Sequence, residues 1–259
     1  MSKNTRRDKA LPFSISQNFL TSPKTIQRLL RLTSICKDDH VIEIGAGKGH
    51  ITKELIRACR AVSAFEIDSR LCAQLQNKLG NVNNLILKNH DFLKTGLPKN
   101  GYYKVFSNIP FSITSNIIRK LTLAENPPQE AWLVMEKGAA KRFIGKPVET
   151  PASIQIKPFF DVSIDYYFSR QDFHPAPSVD VVLLHLARKA TSDIPASQQR
   201  IFSAFVEKSL KYGIATHLTK RQVARALKLD GLPNIQQSGT ILYVQWLCLF
   251  RCYCQLHRK

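Results

Sequence analysis

The stretch His40-Val41-Ile42-Glu43-Ile44-Gly45-Ala46-Gly47-Lys48-Gly49 decides the fold. Its first half is a short apolar strand, its second half a glycine-rich turn, and His50 to Cys59 continues with a helical pattern. Strand, glycine turn and helix make the first unit of a doubly wound nucleotide fold. Glycines let the backbone pass close to a ligand, and a helix N-terminus favours negative charge. Two rival motifs fail on single residues. A P-loop needs Ser or Thr after Gly-Lys, but Lys48 is followed by Gly49; the dinucleotide fingerprint needs a third Gly or Ala where His50 stands. What is left is Glu43-x-Gly45-x-Gly47-x-Gly49, an acid ahead of alternating glycines, which suits a ligand without a pyrophosphate.

The units that follow repeat the pattern. Val62 to Glu66 reads as a second strand ending in an acid, and Glu66, 21 residues past Gly45, suits a carboxylate gripping two ribose hydroxyls. Ile67 can lie against an adenine face, and Asp68 reads as the cap of a helix over Ser69 to Leu79. Leu85 to Leu87 is a third strand, after which Asp91 is placed to accept from an adenine amine. Each acid alone reads as a solvated loop residue; Glu43, Glu66 and Asp91 at three successive strand ends point to one edge, where ligands of such sheets bind. A fourth strand, Tyr103 to Phe106, delivers Ser107-Asn108-Ile109-Pro110-Phe111 to that edge, ahead of a helix over Ser112 to Leu123. Asn108 offers a side-chain acceptor, Pro110 fixes the backbone so that the Ile109 carbonyl has a set direction, and Phe111 offers a flat apolar face. Together they can hold an exocyclic amine while its ring is stacked; the plain alternative is an ordinary strand-to-helix loop.

Further along, Trp132 to Met135 reads as a fifth strand and Lys137 to Ile144 as a helix. Gly145 to Pro151 reads as a mobile loop, Ser153 to Phe168 as extended, and Val181 to Leu186 as the final strand. The intervening loop, Arg170 to Asp180, is stiffened by two prolines and presents Phe173, either as core packing or as a second wall opposite Phe111. Upstream, Ser22 and Pro23 form a helix start, with Ile26, Leu29, Leu30 and Thr33 as its face. Gln17 and Asn18 gain interest only if they border a ligand.

Charge gives the partner class. The 259 residues carry 38 Lys+Arg against 19 Asp+Glu, a net +19, at a normal hydrophobic content of 44%. An excess of that size on a folded chain argues for a polyanion. It concentrates towards the end, where residues 187–259 hold twelve Lys/Arg against three acids. Ile201 to Lys211 and Leu218 to Leu229 read as helices with basic faces, Gly231-Leu232-Pro233 as a break, and Thr240 to Leu249 as a third helix. The expected division is a basic arm over 1–15 carrying Lys3, Arg6, Arg7 and Lys9, a catalytic domain over 16–186 and a helical nucleic-acid-binding domain over 187–259. The cysteines, Cys36, Cys59, Cys72, Cys248, Cys252 and Cys254, have no zinc spacing, so buried structural thiols, a reducing cytoplasm and no metal are expected. No apolar run is long enough for a membrane span, and no secretory signal is expected.

In order and spacing, Ser16-Gln17-Asn18-Phe19-Leu20, the glycine motif from Glu43, Glu66-Ile67-Asp68, Asp91-Phe92, Asn108-Ile109-Pro110-Phe111 and Asp172-Phe173-His174-Pro175-Ala176-Pro177-Ser178-Val179-Asp180 resemble the Erm family of ribosomal RNA adenine N6-methyltransferases. The resemblance covers nearly the whole chain. It implies a Rossmann-like α/β domain that uses S-adenosyl-L-methionine, with a small all-helical C-terminal domain. It implies a monomer acting on an adenine of 23S ribosomal RNA before ribosome assembly is complete, giving resistance to macrolide, lincosamide and streptogramin B antibiotics. By resemblance, Asn18, Leu20, Gly45, Glu66, Asp91 and Asn108 contact the cofactor, while Asn108, Ile109, Pro110, Phe111 and Phe173 form the target-adenine site. Phe111 stands where many relatives have Tyr, which keeps stacking and drops a hydroxyl. Three alternatives remain: a small-subunit dimethyladenosine transferase, which usually shows Asn-Leu-Pro-Tyr; a DNA adenine methyltransferase, which usually has a second proline where Ile109 stands; and a non-catalytic nucleic-acid-binding factor.

Overall fold

The computed structural model describes residues 18–235 and 240–257, so the expectations on Lys3, Arg6, Arg7, Lys9 and Ser16-Gln17 lie outside the described residues. The chain opens with β1 (Phe19–Leu20) and α1 (Pro23–Arg31). Ser22 caps α1 by accepting from the Thr25 N–H, with Pro23 at the first helical position. β2 (His40–Ile44), α2 (His50–Ala58), β3 (Ala61–Phe65), α3 (Ser69–Leu79) and β4 (Leu85–Lys88) follow. Asp68 caps α3 as expected, accepting from the Arg70 and Leu71 N–H groups. Then come β5 (Lys104–Asn108), α4 (Thr114–Thr122), β6 (Glu130–Glu136) and α5 (Lys137–Ile144). One tight 3-10 turn, Phe111–Ile113, separates Pro110 from α4, because Pro110 itself holds an extended conformation.

The expectation of an extended chain over Ser153 to Phe168 is corrected. α6 (Pro151–Ile156) occupies its first part, and β7 (Phe160–Tyr167) begins only afterwards. Thr150 caps α6, Pro151 sits at its first position and Ser153 returns the hydrogen bond to the Thr150 N–H, a reciprocal start signal that outweighs the β-branched Ile154 and Ile156. β8 (Phe173–His174) and β9 (Val181–Arg188) complete the strands, with β8 antiparallel to β1.

The main sheet runs β4-β3-β2-β5-β6-β9-β7. The first five strands in that order are parallel, and β9 is antiparallel to both β6 and β7. Successive strand residues face opposite sides, so two cores form. Ile42, Ile44, Val105, Leu133 and Met135 pack on α4, α5 and α6; Val41, Phe106, Trp132 and Val134 pack on α1, α2 and α3. The chain moves outward from β2 to β3 and β4, then returns to place β5 on the other side of β2. The crevice above β2 and β5 is therefore the topological switch point.

A third core belongs to the C-terminal helices α7 (Gln199–Tyr212), α8 (Lys220–Leu229) and α9 (Tyr243–Leu256). Phe202, Phe205, Leu227, Trp246 and Phe250 fill it, and Ile154 of α6 joins it from the sheet domain.

Candidate active site

The glycine turn is held by its neighbours at the switch point. The N–H groups of Gly45 and Ala46 both donate to the Phe65 carbonyl, at 2.8 and 3.0 Å. Gly47 lies at φ +56°, where a Cβ would come within 2.8 Å of the Phe19 ring. Gly49 caps α2 at φ +81°, where a Cβ would meet Leu75 at 2.2 Å. Both positions need glycine for conformation and for space.

Glu66, just past β3, is 2% exposed, yet it borders the cleft. Its Oε2 accepts from the Gly47 N–H at 2.7 Å and its Oε1 from the Asp68 N–H at 2.8 Å. Each oxygen keeps a second lone pair, so the carboxylate is oriented by backbone donors without being used up. Asn89 fixes the same corner by donating to the Glu66 carbonyl at 2.8 Å. Ile67 leaves an apolar side chain 51% exposed in the cleft. On the far wall Asp91 accepts from the Leu93 N–H at 2.9 Å, and Phe92 stands edge-on to Phe65 at 5.4 Å.

Ser107 ties the two strands of the crevice together. Its hydroxyl accepts from the Ile44 N–H at 3.2 Å and donates to the Ile44 carbonyl, fully buried. Asn108 follows. Its Nδ2 donates to the Asn18 carbonyl at 2.7 Å, while its Oδ1 accepts no hydrogen bond among the described residues. That contact fixes the amide and keeps its oxygen for a ligand. The Ile109 N–H donates to the Val134 carbonyl at 3.2 Å, which anchors the backbone whose next carbonyl precedes Pro110. Phe111 is half-buried at the mouth.

One cleft thus brings together Asn18, Gly45, Glu66, Asp91, Asn108, Ile109, Pro110 and Phe111. Leu20 and Phe173 do not line it. They pair across β1 and β8, are 2% and 4% exposed, and lie in the core; Phe173 packs 5.1 Å from Phe168. Glu43 is also set apart, which corrects its expected convergence with Glu66 and Asp91. It is 1% exposed beside Thr52 of α2, and its Oε2 has no hydrogen-bond partner among the described residues. Burial, and the nearby Glu66 charge, push its carboxyl up to about 8. Ser107 and Phe19 stand inside the motifs read from the sequence without a role of their own there, and the Asn18 carbonyl, Asn89 and His90 have no role in that reading.

Among the described residues no cluster of His, Cys, Asp or Glu could hold a metal, and no helix is long and apolar enough to cross a membrane. Cys59, Cys72 and Cys248 are buried, but Cys36 is exposed, so the expectation of buried thiols holds only in part.

The model of the ribosomal RNA adenine dimethylase family matches residues 9–228. The chain belongs to that family. Its relatives include an rRNA adenine N-6-methyltransferase of Lysinibacillus sphaericus, 36% identical over 238 residues that span 92% of this chain and 95% of the relative. Another, from Staphylococcus aureus, is 34% identical over 242 residues, 93% and 97% of the two chains. The solved 23S rRNA methyltransferase ErmE superposes with a TM-score of 0.78 at 27% identity, over 91% of this chain and 99% of that one. A dimethyladenosine transferase from Plasmodium falciparum shares the fold, with a TM-score of 0.65 at 22% identity over 84% of each chain. The fold is thus the Rossmann-like α/β fold of these methyltransferases.

This adenine dimethylase family member also carries a shallow groove on its C-terminal helices. Arg221, Arg225 and Lys228 line it with Leu232, Pro233 and Asn234. Lys220 and Arg221 stand in the first turn of α8, where the helix dipole disfavours cations. No carboxylate among the described residues pairs with Arg221, Arg225 or Lys228 within ion-pair distance.

Proposed function

We propose that this chain transfers a methyl group from S-adenosyl-L-methionine to N6 of an adenine in 23S ribosomal RNA, and that the product confers macrolide, lincosamide and streptogramin B resistance. The supporting observation is Asn108, held through Nδ2 by the Asn18 carbonyl with Oδ1 left as an acceptor in the cleft. Family membership and the likeness to ErmE support the substrate class, and the match to ErmE supports 23S over the small subunit.

The cleft fits the cofactor. Glu66 offers a fixed carboxylate to a ribose diol, Ile67 an apolar face to a purine and Asp91 an acceptor to its amine. Gly45 and Gly47 leave room along the loop, where a Cβ at Gly47 would already crowd Phe19. When bound, S-adenosyl-L-methionine supplies an electrophilic methyl on a sulfonium.

The remaining work falls to the chain. The N6 lone pair of adenine is delocalised into its ring, so the amine is a poor nucleophile. Acceptance of its two N–H bonds by the Asn108 Oδ1 and the Ile109 carbonyl localises that pair. With the base held in the cleft beside a bound cofactor, the two reacting groups would need no diffusive search. Phe111 offers its face to the extruded base, worth roughly 1–3 kcal/mol for base–aromatic stacking. No side chain need act as a strong base, because the product ammonium sheds its proton after transfer. The groove of Arg221, Arg225 and Lys228 takes RNA phosphates, and S-adenosyl-L-methionine and RNA are separately held.

The test is expression in a susceptible bacterium, with adenine methylation mapped on both ribosomal RNAs and drug tolerance measured. N6-methyladenine in 23S RNA together with raised tolerance is the expected result. Methylation confined to the small subunit would overturn it in favour of the dimethyladenosine transferase reading.

A further inference from the structure

Pairing across the sheet relates the cleft to a distant aromatic. Asn108 of β5 pairs with Val134 of β6, Val134 with Leu183 of β9, and Leu183 with Tyr166 of β7. One residue further, Tyr167 pairs with Val182, which pairs with Met135. Tyr167 therefore stands level with Ile109, the residue that follows Asn108, three strand spacings or about 14 Å along the same edge.

Its orientation is set by an irregularity. β7 keeps regular pairing to Ile164, then fits one extra residue so that Tyr166 opposes Leu183. Such bulges re-aim side chains. Asp165 turns in to accept from the Trp132 Nε1–H at 3.2 Å, Tyr166 packs on Phe168 at 4.9 Å, and Tyr167 is left 61% exposed. β7 is the edge of the sheet, and edges are ordinarily blunted by charge or proline. This one ends in an open aromatic ring.

Cations attend it. The Lys137 ammonium, at the start of α5, lies 5.8 Å from the Tyr167 ring centroid and pairs at 3.1 Å with Asp180, whose side chain is 65% exposed. An exposed pair of this kind is worth little, so the ammonium can exchange Asp180 for a phosphate. Arg170, three residues past the ring, is exposed and reaches the Ser178 carbonyl at 3.3 Å. An open ring beside a partly exposed cation is the composition of a single-strand stacking platform.

We infer that Tyr167 stacks an unpaired base of the RNA a few nucleotides from the target adenine, with Lys137 on the intervening phosphate. This rests on the RNA-methylating reading above and adds a positioning contact to it. The platform fixes how the strand crosses the sheet edge, and so which adenine reaches Asn108. Tyr167 acts on RNA capture and leaves the transfer step alone.

The experiment uses the full chain with protein-free 23S RNA transcript, plus a single-stranded oligoribonucleotide carrying 2-aminopurine at successive positions beside the methylated adenine. Tyr167→Ala is expected to raise the KM for RNA roughly 5- to 100-fold, the range of one base–aromatic stack, with kcat and cofactor affinity kept. Tyr167→Phe should restore KM to within about two-fold. In the wild type one 2-aminopurine position should be quenched, and Tyr167→Ala should release it. Lys137→Gln should flatten the salt slope of RNA binding by about 0.7. An unchanged KM and unchanged quenching in Tyr167→Ala, with melting like the wild type, overturns the platform while the methyltransferase reading stands. If the wild type methylates no ribosomal RNA at all, the reading beneath it falls, and the platform with it.

Discussion

The cleft at the β2–β5 crevice and the groove on α8 are both lined by polar side chains, but in opposite states. In the cleft, Glu66 and Asn108 are buried or half-buried, and each is held by backbone partners before any ligand arrives. On α8, Arg221, Arg225 and Lys228 are exposed, and no ion pair among the described residues fixes their tips. The first arrangement recognises shape, because a displaced acceptor cannot be replaced. The second recognises charge density, which is additive and screened by salt. Single substitutions should therefore act steeply in the cleft and only by increments in the groove.

Asn108→Ala is the severest test of that contrast. It removes the acceptor oxygen and also the contact to the Asn18 carbonyl. A loss of about 10²–10³-fold in kcat is expected, by analogy with deletion of one preorganised polar contact in an active site. RNA affinity should be kept, because the phosphate contacts proposed above lie on α8 and not in the cleft. Turnover near the wild-type value at saturating cofactor would make the Asn108 turn merely structural and erase the contrast.

Glu66→Ala comes next. The substitution strips a charged acceptor from the cleft and orphans the Gly47 and Asp68 N–H groups. Hydrogen bonds to charged groups are worth about 1.5–3 kcal/mol, so the cofactor dissociation constant should rise roughly 10- to 100-fold, measured by calorimetry. The salt dependence of RNA binding should not move. A shift in that slope would show that the two regions are coupled.

The groove should respond in the opposite sense. Replacing Arg221, Arg225 and Lys228 together by Gln should flatten the log–log salt slope of RNA binding by about 0.7–0.9 for each lost phosphate contact, with cofactor affinity unchanged. Each single replacement should give a fraction of that effect. An unaltered slope in the triple variant would make α8 a solvated face.

How much of this was legible depends on whether a residue's role is local. Glu66 was found because a carboxylate at a fixed distance past the glycine turn ends the next strand. Asn108 is legible because a side-chain acceptor, a carbonyl fixed by Pro110 and the Phe111 face stand in four consecutive residues. α6 was missed because Ile154 and Ile156 alternate like a strand, whereas Thr150, Pro151 and Ser153 carried the stronger cap signal. Leu20 and Phe173 were assigned to the ligand by resemblance. Their pairing across β1 and β8 joins segments some 150 positions apart, which no local pattern announces. Glu43 was misplaced by one residue of parity. Ile44 lines the cleft, and strand neighbours face opposite sides, so Glu43 points towards α2.

That parity sharpens the boundary of the cleft, and Glu43→Gln should have the smallest effect on either ligand. Glu43 is 1% exposed, with one carboxylate oxygen unpartnered among the described residues. Burial lifts its carboxyl from 4.5 in the unfolded chain to about 8 in the fold. Below pH 4.5 both states carry the proton, and no penalty exists. Between 4.5 and 8 the unfolded chain has released a proton that the fold retains, so stability falls as pH rises. Above 8 both states are ionised and the penalty is full. Each pH unit inside that window corresponds to about 1.4 kcal/mol, so the whole amounts to a few kcal/mol. Glu43→Gln keeps the shape without the ionisation. Its melting temperature should match the wild type near pH 4.5 and exceed it by several degrees at pH 8.5, with methyl transfer at pH 7 within about two-fold. Parallel melting curves across that range would show that Glu43 is ionised and paired in the fold. A large loss of cofactor affinity would place its carboxylate among the cleft's own acceptors.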